Sequence, residues 1–60
     1  MATDPDVARA ARNLITEHGE VAETVALARA KHAEDSNRPG AARKWRNIAA
    51  AVREMQGRPD

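Results

Sequence analysis

Gly40-Ala41-Ala42-Arg43-Lys44-Trp45-Arg46-Asn47-Ile48-Ala49-Ala50-Ala51-Val52-Arg53-Glu54-Met55-Gln56 is the stretch whose reading decides the fold. Trp45, Ile48, Ala49, Val52 and Met55 recur along it at the spacing of one helix face, which marks an amphipathic helix. The same stripe holds the only aromatic residue of the chain. One Trp can bury ~150–250 Å², and nothing else in these 60 residues offers comparable anchoring surface. The fold is therefore expected to depend on Trp45 first.

Working outward, the turn cluster Asp35-Ser36-Asn37-Arg38-Pro39-Gly40 separates this helix from what precedes it. Asn37 is expected to be its N-cap, with Pro39 tolerated in the first turn, and Gly57 and Pro59 are expected to end it. At the other end of the chain, Asp4-Pro5-Asp6 reads as a cap, a first-turn proline and an acid placed where the helix dipole favours one. Val7, Ala11, Leu14, Ile15 and His18 then share a face, and Gly19 supplies the stop. Between these two helices lies a third, with Val21, Val25 and Ala28 on one flank and Ala22, Ala26 and Leu27 widening its apolar side. Strand signals are absent: there is no Tyr or Phe, and no period-two alternation.

The spacing thus predicts helices over residues 5–18, 20–35 and 38–56, forming one domain over 1–60. Connections this short join antiparallel neighbours, so the expected fold is all-α, a small antiparallel three-helix bundle running up-down-up. Its expected core is Val7, Leu14, Val21, Val25, Trp45, Ile48, Val52 and Met55. That core is thin, because alanine supplies most of the 42% apolar content. A chain of this size hides only about 60% of the surface its unfolded form exposes. Association with a partner or with itself, as a homodimer, is the expected source of the missing stability.

Several function classes are disfavoured by composition. The absence of Cys removes disulfides and thiolate metal sites, leaving His18 and His32 as the soft ligands. Each sits near the end of its helix, where the dipole favours a cation, and in an antiparallel pair those ends point opposite ways. Neither metal nor cofactor is expected. Thr3, Thr16, Thr24 and Ser36 stand in no nucleophile motif, and a pocket able to desolvate Glu17, Glu20 or Glu23 is not expected at this size. Gly40 and Gly57 are isolated, so no phosphate-cradling loop is legible. The expectation is a protein that is not an enzyme. No stretch approaches the ~20 apolar residues of a membrane span. The acidic start Met1-Ala2-Thr3-Asp4-Pro5-Asp6 lacks the basic and apolar segments of a signal peptide, so a cytoplasmic protein is expected.

Charge is segregated along the chain. Residues 1–36 hold seven acids and four bases, whereas residues 37–60 hold six bases and two acids. Arg43, Lys44, Arg46 and Arg53 are therefore the candidate contacts for a partner or a nucleic acid, with cations for phosphate and Trp45 beside them. Two features oppose the nucleic-acid reading. Net charge is only +1, and an up-down-up bundle would bring Asp4, Asp6, Glu34 and Asp35 to the end occupied by Arg38, Arg43 and Lys44. At the other end Glu17, Glu20 and Glu23 would face Arg53 and Arg58.

The segments Leu14-Ile15-Thr16-Glu17-His18-Gly19, Ala28-Arg29-Ala30, Gly40-Ala41-Ala42 and Lys44-Trp45-Arg46-Asn47-Ile48-Ala49 form a recognisable series. Together they resemble a loose group of short, uncharacterised bacterial proteins. In that group a first helix ends in His-Gly, a middle helix carries Arg-Ala, and a last helix has a Trp-Arg-x-Ile core. Ser36-Asn37 stands here where the group often has Gly-Asp, and Arg38-Pro39 also departs. The resemblance covers most of residues 10–55 and implies an all-helical fold, without an activity or site residues. The expected function is a non-catalytic protein–protein interaction module that associates with itself or a protein partner. Nucleic-acid binding through the basic face of the last helix is the alternative.

Overall fold

Asp4 opens the first helix as its sequence requires. In the computed structural model, which describes residues 4–57, its Oδ1 accepts the Asp6 backbone N–H at 2.9 Å. Pro5, which has no N–H to lose, occupies the first turn, and Asp6 adds its charge at the positive end of the dipole. Helix α1 runs Pro5–His18, α2 Ala22–Asp35 and α3 Pro39–Met55. No strand occurs among the described residues, so the fold is all-α, its helices packed against one another. The expected stop at Pro59 and the placements of Thr3 and Arg58 lie outside the described residues.

The second helix starts two residues later than expected. Gly19 has φ 60° and ψ −124°, a backbone state that a Cβ disfavours and that glycine supplies without strain. Its N–H still closes α1 on the Ile15 carbonyl. The chain then makes one 3₁₀ turn, Gly19–Val21, before α2 begins.

Asn37 takes a different role from the one expected. It caps the end of α2 rather than the start of α3. Its φ is 60°, its N–H donates to the Glu34 carbonyl at 3.0 Å, and the Arg38 N–H reaches back to Ala33 O at 2.8 Å. These two bonds make a Schellman motif, with Asn in the left-handed position usually held by glycine. The N-cap of α3 falls to Arg38, which makes no side-chain capping bond.

The helices bury different kinds of face. Val7, Ala11 and Leu14 line the inner side of α1, while α3 contributes Ala42, Ile48, Ala49, Ala51 and Val52. The buried stripe of α2 is alanine throughout: Ala22, Ala26, Ala30 and Ala33. Side chains this small let the facing backbones approach closely, and the most extensive packing in the molecule is between α2 and α3. Each alanine hides little apolar area, so close approach brings modest hydrophobic gain.

Four of the expected core residues, Val7, Leu14, Ile48 and Val52, are buried. Ile48 and Val52 are the largest side chains fully enclosed. Val25 and Trp45 pack against this cluster while partly exposed. Val21 and Met55 are corrections, being 53% and 41% exposed. Val21 sits in the 3₁₀ turn, about 100° around from the buried Ala22. Met55 lies in the last turn of α3, beyond the buried Val52. Leu27, expected to widen the apolar side of α2, is 48% exposed, because the alanine stripe turns it outward.

Candidate functional site

Three surface features could carry function, and each is fixed by how α3 lies on its neighbours. The first is the basic run. Arg43, Lys44, Arg46 and Arg53 are all exposed on α3, but the cations at its start are accompanied by acids. Arg43 and Lys44 line a recess with Asp4, Asp6, Val7 and Asn47. Arg46 forms an ion pair with Glu34 of α2. Both of its side chains stay about half exposed, so the pair adds little stability. Its consequence is electrostatic, since the carboxylates reduce the field that a phosphate backbone would meet.

A second feature lies where the end of α2 meets the start of α3. Trp45 is covered on one side by Arg29, whose guanidinium carbon lies 5.1 Å from the ring centroid. The contact is a cation–π interaction. It forms because Arg29 flanks the alanine stripe of α2 and reaches across to the neighbouring helix. Arg29, His32, Ser36, Arg38 and Trp45 line a recess of about 390 Å³ there, and no carboxylate among the described residues lines it.

The third feature is at the opposite end of α3. Gln56 Nε2 donates to the Gly19 carbonyl at 2.9 Å, a bond between residues 37 apart in sequence. It holds the end of α3 against the corner between α1 and α2. Val21 and Met55 flank that bond in sequence, so two exposed apolar side chains are carried to one end of the molecule.

The histidines do not converge with other ligands: among the described residues, no group of three or more His, Asp or Glu side chains could hold a metal ion. His18 lies 3.8 Å from Glu17, its chain neighbour, and His32 lines the recess beside Trp45. No described helix is long and apolar enough to cross a membrane. Sequence reasoning picked out Trp45 and the basic run but missed Arg29 and Gln56. Both act across helices, and the register between helices has no signature in the residues themselves. No protein-family model, curated protein or solved structure matches the chain.

Proposed function

We propose that the protein is a non-catalytic protein–protein interaction module that associates with itself. The observation that carries this reading is the pair of exposed apolar side chains, Val21 and Met55, held at one end by the Gln56–Gly19 bond. Exposed apolar side chains at the same end of a molecule are available to an interface core, whereas scattered ones need no explanation. The alanine-lined core supplies the motive, because a partner would add burial that α2 alone cannot provide.

The architecture on which this reading rests is an up-down-up three-helix bundle. Arg29 meets Trp45, Glu34 meets Arg46, and Gly19 meets Gln56, so positions rise along α3 as they fall along α2. Asp4 and Asp6 share a recess with Arg43 and Lys44, which sets the starts of α1 and α3 side by side. Those pairings support helices that alternate in direction.

Sedimentation equilibrium tests the function. The chain is expected to dimerise at ~10–100 μM, an ordinary affinity for a small interface. The double variant Val21→Asn, Met55→Gln should stay monomeric with unchanged helicity. Monomer at every concentration, together with salt-sensitive submicromolar binding to nucleic acid, would instead favour the basic face of α3.

A further inference from the structure

We infer that the recess between the end of α2 and the start of α3 binds a phosphate group, free or as a monoester, with Arg29 and Arg38 as its principal donors. The inference is independent of self-association, which uses the opposite end of α3. Its starting point is the Arg29–Trp45 contact. A guanidinium laid on an aromatic face is held in position without being neutralised. A carboxylate partner would instead occupy the N–H fork that recognises oxyanions. Arg38 lines the same recess from the connection between the helices, with the imidazole of His32 and the hydroxyl of Ser36 beside it.

Neither acid at the end of α2, Glu34 or Asp35, is in the recess lining. Glu34 pairs with Arg46 and lines a different recess with Asn37 and Arg43. Three of the last four carbonyls of α2, those of His32, Ala33 and Glu34, accept the capping N–H groups of Ser36, Arg38 and Asn37. The recess therefore offers donors and positive charge. Two guanidinium forks with an imidazole and a hydroxyl exceed what one planar carboxylate can use, whereas a tetrahedral phosphate can accept from several directions.

The test uses the emission of Trp45, the only Trp of the chain, together with amide chemical shifts. Sodium phosphate, adenosine monophosphate and O-phosphoserine are each titrated at constant ionic strength, with acetate as the carboxylate comparison. At least one phosphate compound should give a saturable change with half-saturation near ~1 mM, the scale of a weak exposed site. Shifts should centre on residues 29–41. Arg38→Gln, an exposed change outside the helices' buried faces, should weaken binding about tenfold, as expected for one lost charged fork. Arg29→Gln should do the same and alter the Trp45 emission without ligand, while Arg12→Gln on α1 should bind normally. Tighter binding of adenosine monophosphate or of O-phosphoserine would assign the group to a nucleotide or to a phosphorylated protein; equal binding would assign it to free phosphate. The inference is overturned if no compound saturates below ~50 mM, far weaker than ordinary recognition. It is overturned equally if acetate matches phosphate, or if Arg38→Gln leaves binding unchanged.

Discussion

The Arg29 guanidinium lies over the indole of Trp45, so the one large aromatic of the protein is covered by a cation where a hydrocarbon neighbour was the natural expectation. Trp45 packs against the core from its edge, and Ile48 and Val52 are the bulky side chains fully enclosed. Trp45→Ala should therefore cost about 2–3 kcal/mol, less than the ~3–5 of a fully enclosed aromatic. Arg29→Ala should cost ~0.5–1 kcal/mol, the scale of an exposed cation–π contact. Urea denaturation followed by circular dichroism measures both. A larger loss for Arg29→Ala than for Trp45→Ala would contradict the packing described.

Gly19 and Asn37 share a positive φ but should respond differently to substitution. Asn37→Gly should raise stability by ~0.5–1 kcal/mol, because glycine occupies the left-handed position without a Cβ penalty. Gly19→Ala should lower it by ~1–3 kcal/mol from backbone strain alone. No neighbouring atom lies within 4 Å of the added Cβ, so steric crowding cannot account for the loss. Thermal melts of the two variants check the opposite signs.

Ala26 is wholly buried in the stripe that α2 offers to its neighbours. Ala26→Leu should destabilise by about 1–3 kcal/mol, since a close-packed contact has no room for three more carbons. The exposed Leu27→Ala should change stability by less than ~0.5 kcal/mol. Were the bulky residues of α2 the ones that pack, these effects would be reversed.

That contrast also shows what was legible in the sequence. The helical periods, the Asp4-Pro5-Asp6 start and the stop at Gly19 are local, and the residues themselves announce them. The face that α2 buries is not, because alanines and larger apolar residues are spread around the helix and hydropathy alone favours the larger ones. Val21 was misplaced for that reason, and the exposure of Met55 in the last turn of α3 leaves no mark on the helical period. Asn37 stands in a connection so short that a cap for the following helix and a stop for the preceding one read alike. The recess beside Trp45 depends on which residue of α2 faces the ring, and composition does not encode that.

Asp4 and Asp6 beside Arg43 and Lys44 predict weak binding to nucleic acid. Fluorescence anisotropy should give a Kd no tighter than ~100 μM at physiological salt. Asp4→Asn with Asp6→Asn should strengthen it and steepen its salt dependence, because the neutralising carboxylates are gone.

Self-association through the Val21–Met55 end is tested most directly by the melting temperature as a function of protein concentration. Raising the concentration from ~5 to ~500 μM takes a dimer of ~10–100 μM affinity from largely monomeric to largely dimeric, which stabilises each chain by about 1 kcal/mol. For a chain of 60 residues at ~2.1 cal/mol/K of unfolding entropy per residue, that corresponds to a rise of about 5–10 °C. The double variant Val21→Asn, Met55→Gln should lose that dependence. A melting temperature that stays constant for the unaltered chain across the whole range would contradict self-association.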